Sequence, residues 1–326
     1  MKYLITGGAG FIGSALVDRI VHDAESTKET YEIIVFDNFS LGRRSNLSLQ
    51  THNPHVRVIE ADLRDFHLIN AVMAGVDAVF HLAANSDIKE SPKNPRIDFE
   101  QGAVATLNVL EAMRLNSVKA IVFASSSAIY GETTKFPLNE NHGPLLPISF
   151  YGASKLYGEG LIRAYVENHG FCAWVARFGN VLGARGTHGI IYDFYNKLLR
   201  DQNELEVLGN GTQAKPYSEV KDLVDGIVFL WKNAKDRFNF YQIGCDSFTT
   251  VTKIAEIMLE EMGLIEKTRI RYTGGDRGWV GDVPQVRYDV GKINQLGWTS
   301  RHTSDEAVRV AIREFLAEKG QKVLVR

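Results

Sequence analysis

Tyr151 and Lys155 lie four residues apart in the stretch ASSSAIYGETTKFPLNENHGPLLPISFYGASKL, which runs from Ala124 to Leu156. On a helix beginning near Ser149 the two side chains share one face. A tyrosine at its ordinary pKa of ~10 is a poor base at neutral pH. An ammonium about 4 Å away favours the phenolate by roughly 4 kcal/mol at an effective dielectric of ~20. At about 1.36 kcal/mol per pKa unit, that predicts a tyrosine near ~7, able to take up or return an alcohol proton. Ser125, Ser126 and Ser127 follow a predicted strand, Ala120 to Ala124. That places a hydroxyl at the carboxyl edge of a sheet, where open α/β sheets bind their ligands. A tyrosine and a lysine at this spacing carry no chemistry by themselves, so the elements around them decide.

The first of those elements is a short apolar strand, Lys2 to Ile5, followed by Gly7, Gly10, Phe11, Ile12 and Gly13 and an amphipathic helix to about Val21. At GxxGxxG spacing the first glycine permits a tight turn, the second lets backbone approach a pyrophosphate, and the third lets helix pack on strand. The helix amides then face the phosphates. A second strand, Tyr31 to Phe36, ends at Asp37, beside Asn38. A carboxylate there accepts both adenosine ribose hydroxyls and repels a 2′-phosphate, which favours NAD over NADP. Arg43 and Arg44 read as solvated loop residues; either one reaching the ribose would make NADP tolerable.

A third strand, Val56 to Glu60, leads to Asp62 and Leu63, placed to hold an adenine by a carboxylate and a backbone group. A fourth, Val76 to Ala84, carries His81, Leu82, Ala83 and Ala84 and leads into Asn85; its small residues let the chain pass close to a cofactor, and His81 reads as a packed histidine. Pro95 to Asn116 reads as one long helix before the fifth strand, and Phe171 to Arg177 as a sixth strand after the Tyr151 helix. Strands alternating with helices predict a doubly wound parallel sheet, an α/β fold. Beyond it, helices are expected near Ile190 to Arg200, Thr250 to Met262 and Ser304 to Glu318, and a glycine-rich loop over Thr273 to Asp282.

At 326 residues and 44% hydrophobic content the chain exceeds the usual single-core limit of ~250–300 residues, so two lobes are expected. A net charge of −2, from 37 basic and 39 acidic residues, gives no footprint for nucleic acid or an anionic membrane. Cys172 and Cys245 are too few for a disulfide framework and favour a reduced, cytoplasmic setting. Glycines interrupt the apolar amino terminus and no run of ~18 apolar residues follows, so neither secretion nor a membrane span is expected.

Taken together, TGGAGFIG, Asp37, HLAA, SSSAIYG and YGASK resemble the extended short-chain dehydrogenase/reductase family, in its branch of NAD-dependent nucleotide-sugar epimerases and dehydratases. The resemblance covers nearly the whole chain. It implies a Rossmann domain over residues 1–178 and a smaller, partly interleaved nucleotide-sugar lobe over 179–326. It also implies a homodimer joined by a four-helix bundle, here built from the Pro95–Asn116 and Ser149–His169 segments. By motif, Tyr151 resembles the family's base, Lys155 its ribose-binding partner and Ser127 the hydroxyl that bonds sugar O4, counted back from Tyr130-Gly131. Asn180 resembles the diphosphate-binding asparagine, and Asn85 to Lys89 fall in the hexose-contacting loop; His188 reads either as a substrate contact or as a surface-loop histidine. Two departures stand out. The family's Arg-Asp-Tyr reads Lys215-Pro216-Tyr217, which offers a point charge without a fork, and the arginine expected before Pro-Gly-Asp is Arg277, displaced upstream of Trp279-Val280-Gly281-Asp282.

The chemistry this implies is hydride removal from sugar C4 to NAD while Tyr151 takes the hydroxyl proton. The family's 4,6-dehydratases carry an acidic pair directly after the active hydroxyl; here Ala128 and Ile129 stand there, and neither moves a proton. A C4 epimerase acting through a 4-keto sugar is the expected activity, without a metal. A nucleotide-sugar 4-dehydrogenase or 4-ketoreductase uses the same residues and is the first alternative. A 4,6-dehydratase and a non-catalytic dinucleotide-sensing regulator follow.

Overall fold

Residues 1–88, 91–278 and 283–321 are described by the structure, a computed structural model. The chain folds into two units. One comprises Met1–Gly131, Gly143–Phe178 and Ile227–Tyr241, the other Glu132–His142, Gly179–Gly226 and Gln242–Arg326.

The first unit is built on strands β1 (Lys2–Thr6), β2 (Glu32–Asp37), β3 (Val56–Glu60), β4 (Ala78–His81), β5 (Ala120–Ala124) and β6 (Cys172–Phe178). With β11 (Phe238–Ile243) they form a seven-stranded sheet in the order β11-β6-β5-β4-β1-β2-β3, and the pairings from β3 through to β6 are parallel. Strands buried on both faces read as continuous apolar runs, and β1, β4 and β5 do so. Helix α1 (Phe11–Thr27) presses Leu16, Val17, Ile20 and Val21 inward, and Lys28 ends it in the left-handed region at φ 57°. Helix α2 (Phe66–Val72) contributes Ile69 to a core that also holds Leu4, Phe36, Val109, Phe123 and Val175.

Two expected elements differ in detail. The fourth strand stops at His81 rather than Ala84. The Leu82 amide makes a last bond to the Thr6 carbonyl (3.1 Å), and Ala83 then passes against Gly7, where a Cβ would stand 2.7 Å from the Ala83 nitrogen. The helix expected over Pro95–Asn116 is α3 (Arg96–Asp98), a π-helical segment (Phe99–Val104) and α4 (Ala105–Leu115). The wide turn accommodates close packing on α5 (Phe150–His169), since a Cβ at Gly102 would lie 2.6 Å from the Ser154 hydroxyl.

The second unit has its own core, including Phe194, Leu198, Leu205, Ile254, Met258, Ile312 and Phe315. Helices α6 (Ile190–Arg200), α8 (Val251–Glu261) and α10 (Ser304–Glu318) supply most of it. Three two-stranded pairings complete it: β7 (Asn180–Leu182) with β10 (Tyr217–Glu219), β8 (Glu204–Val207) with β13 (Arg269–Tyr272), and β9 (Ala214–Lys215) with β12 (Thr249–Thr250). Helix α7 (Val220–Asn233) carries the chain from this unit into the first, and α9 (Gly291–Leu296) precedes α10. Among the described residues, no helix is long and apolar enough to cross a membrane.

Candidate active site

Helix α5 starts as the sequence reading expects. The Ser149 hydroxyl accepts the Gly152 amide (3.0 Å), and Gly170, at φ 68°, closes the other end. Tyr151 and Lys155 therefore sit one turn apart. Lys155 is buried, and its ammonium donates to the Ala124 carbonyl (2.7 Å), 5.7 Å from the centre of the Tyr151 ring. Burial pushes Lys155 down to about 8, against the upward pull of Glu159.

The tyrosine departs from expectation. Lost hydration pushes Tyr151 up to about 12, a hydrogen bond from Ser126 opposes the rise, and Asp98 adds to it. The predicted value near ~7 assumed the ammonium against the phenol oxygen. Here its donor is directed to a strand carbonyl, so desolvation dominates. The serine also differs. Ser126 caps the 3-10 turn Ser127–Tyr130: its oxygen accepts the Ala128 amide (3.1 Å) while its hydroxyl meets Tyr151. The expected hydroxyl was Ser127, one residue later, inside the turn that Ser126 caps. With Ser126 in that role, the residues that follow are Ser127 and Ala128, neither of which carries a carboxyl group.

Around the glycine turn, the Gly10 amide donates to the Gly7 carbonyl (3.0 Å), and a Cβ on Gly13 would stand 2.1 Å from that oxygen. The first turn of α1, with Phe11 and Ile12, has neither a side-chain cap nor an acidic residue, so its amides are open to an anion. Asp37 ends β2 beside this turn, its carboxylate accepting the Ala9 (2.9 Å) and Phe39 (2.8 Å) amides; burial pushes it up against those bonds. Asn38 donates to Asp62 (3.1 Å), and Arg64 holds Asp62 down to about 2. Leu63 is buried, while Leu82, Ala83 and Ala84 are half-buried beyond β4. Arg44 is paired with Glu60. Uncapped helix amides, a carboxylate at the end of β2 and a small-residue pass together fit a dinucleotide such as NAD. His81 is enclosed between Thr6 (2.7 Å) and Thr106 (3.0 Å), and burial, reinforced by Lys155, pushes it down to about 3.

Asn85 is buried, donating to Asp98 (3.3 Å) and accepting the Asp87 amide (3.2 Å). Sequence reasoning missed Asp98; it ends α3 and lies 13 residues from Asn85 in the chain, so no local pattern joins the two. Lys89, and Trp279 to Asp282 with them, lie outside the described residues. In the second unit, Asn180 reaches the Pro216 carbonyl (3.5 Å), which brings it beside Lys215, and Arg277 pairs with Glu132 (2.7 Å). His188 is exposed and meets Thr187 (3.1 Å).

Known proteins resemble this chain along most of its length. Residues 3–244 match the model of the NAD dependent epimerase/dehydratase family. A putative UDP-glucose 4-epimerase of Methanocaldococcus jannaschii is 33% identical over 94% of this chain and 95% of its own. A crystal structure of UDP-galactose 4-epimerase superposes with a TM-score of 0.85 at 38% identity, covering 98% of this chain and 99% of that one. DesIV of Streptomyces venezuelae, a dTDP-glucose 4,6-dehydratase solved with NAD, gives a TM-score of 0.88 at 27% identity over 98% of each chain. With the family model spanning most of its length and these relatives end to end, the chain belongs to the NAD dependent epimerase/dehydratase family.

Proposed function

We propose that this chain is an NAD-dependent epimerase that inverts C4 of a UDP-sugar through a 4-keto sugar. The observation that carries the reading is the contact of Ser126 with Tyr151 above a buried Lys155, followed by residues without a carboxyl group. NAD, when bound, supplies the acceptor and then the donor of the C4 hydride. Tyr151 takes and returns the O4 proton, Ser126 hydrogen-bonds that oxygen, and Lys155 binds ribose hydroxyls. A phenol at about 12 is protonated at neutral pH, and a positive charge brought close to it would lower that value while an anion would raise it. Gly7, Gly10 and Gly13 with the α1 amides take the pyrophosphate, Asp37 the ribose, and Asp62 with Leu63 the adenine. Asn180, Lys215 and Arg277 hold the sugar's diphosphate, so that the ketone can turn about this tether and present its other face. Asn85 contacts the hexose, a role the sequence also suggests for Lys89. The first unit thus serves the cofactor and the second mainly the nucleotide sugar.

The second unit's charges suit a small anion, and the sequence as a whole suits the cytoplasm. A homodimer is proposed through α5 and the Arg96–Leu115 helical run, which leave Phe99, Leu115, Phe150 and Tyr157 exposed.

Incubation of the purified protein with UDP-hexoses, without added NAD, tests the activity by mass and proton NMR. An isomer of unchanged mass is expected, and Tyr151→Phe is expected to lose it by about 10²–10⁴-fold. A product lighter by one water identifies a dehydratase instead. Turnover only with added NAD, with loss of two hydrogens, identifies a dehydrogenase.

A further inference from the structure

Behind the reacting pair lies a second ionic pair that the chemistry above does not use. Glu159 follows Lys155 by one turn of α5 and is 6% exposed; Arg177, near the end of β6, is 5% exposed. The guanidinium meets the carboxylate as a fork, Nε to Oε1 at 2.9 Å and Nη2 to Oε2 at 2.6 Å. The same carboxylate accepts the Ser125 hydroxyl (2.5 Å), and Arg177 Nη1 reaches the Tyr130 oxygen (3.4 Å) while its guanidinium lies 5.5 Å from that ring's centre.

These bonds fall on both sides of one residue. Ser125 immediately precedes Ser126, and Tyr130 closes the 3-10 turn that Ser126 caps. Just upstream, Lys155 holds the Ala124 carbonyl. Ser126 therefore projects from a short span whose two ends are fastened to α5 and β6, and its hydroxyl meets a phenol carried by the same α5. A buried ion pair is a poor means of gaining stability, because desolvating both charges offsets much of their attraction. A catalytic hydroxyl, by contrast, depends on placement to a fraction of an ångström.

We propose that the buried Glu159–Arg177 pair is a positioning device, which fixes the 125–130 span at the height on α5 where Ser126 meets Tyr151. This rests on reading Ser126, Tyr151 and Lys155 as the reacting group. Neither partner touches the sugar; both act through Ser125 and Tyr130.

The test replaces the pair by apolar side chains of similar length, Glu159→Leu with Arg177→Met. Because such replacement leaves stability nearly unchanged, Tm is expected within about 5 °C of the parent. The kcat is expected to fall at least about tenfold while KM stays within about twofold, since placement of the hydroxyl and not sugar binding is lost. A folded double variant with the parent's kcat overturns the proposal. Should the double variant fail to fold, Ser125→Ala decides in its place, since it removes only the tie between the pair and the serine run. It is expected to keep the parent's Tm and lose kcat about fivefold or more, and an unchanged kcat overturns the proposal. Tyr151→Phe is measured alongside. Full activity in Tyr151→Phe would defeat the reading of the site itself, whereas an inactive Tyr151→Phe beside a fully active double variant defeats only the positioning role.

Discussion

Ser126 and Ser127 are chain neighbours with different tasks, because the 3-10 turn begins between them. Ser126 takes the capping position and meets Tyr151. Ser126→Ala is therefore expected to lower kcat by about 10²-fold, whereas Ser127→Ala stays within a few-fold of the parent; steady-state kinetics on the same UDP-sugar separates them. The reverse ranking would restore Ser127 to the site. At this scale the sequence shows which residue types assemble but not their charge states. The tyrosine, lysine and serine run were legible from spacing, yet the phenol's high pKa depends on where one ammonium points and how much water reaches it. His81 supplies a second residue-level expectation. Its folded pKa of about 3 lies below the unfolded ~6.5, so the unfolded chain binds the proton first. Its contribution to stability is thus full above pH ~6.5 and is lost as the pH falls toward 3. Urea midpoints at pH 7 and pH 5 should drop more in the parent than in His81→Asn, and equal drops would assign the acid sensitivity elsewhere.

Elements with sequence-encoded ends were read closely. Helix α6 spans Ile190–Arg200 as expected, α8 starts after a capping Thr250, and α10 has a capping box between Thr303 and Glu306. Elements shaped by contacts between distant segments were not. The end of β4 depends on the approach of Ala83 to Gly7, and the π-helical segment on Gly102 meeting Ser154, and neither leaves a local pattern. The β1-to-α1 turn belongs to both kinds: its glycines are visible in the sequence, and their necessity is visible in the packing. A Cβ on Gly13 meets a backbone oxygen that no rotamer change can clear. Gly13→Ala should destabilise the protein by about 1–3 kcal/mol and release NAD during gel filtration, read by Tm and by absorbance of the eluted protein. Retained NAD at the parent's Tm would mean that the turn relaxes freely.

At the scale of the whole molecule, the first unit leaves large apolar side chains exposed on α5 and on the helical run before it. Phe99 is 61% exposed, Phe150 48% and Tyr157 47%. Phe150→Lys combined with Tyr157→Lys should convert the proposed dimer to a monomer by light scattering at about 10 µM, a typical association range. An unaltered mass would place the interface elsewhere. The parallel sheet was legible from the alternation of strand and helix. The exchanged segments were not, because nothing local in Ile227–Tyr241 says which unit it completes.

That exchange bears on how the protein is made. Strand β6 finds its outer neighbour in β11, about 65 residues later in the chain. On the ribosome, at ~5–20 residues per second, the sheet waits several seconds with β6 as a bare edge. During that interval its unpaired amides and carbonyls are open to any extended chain nearby. The order of synthesis, more than the finished fold, sets how long that edge stays open.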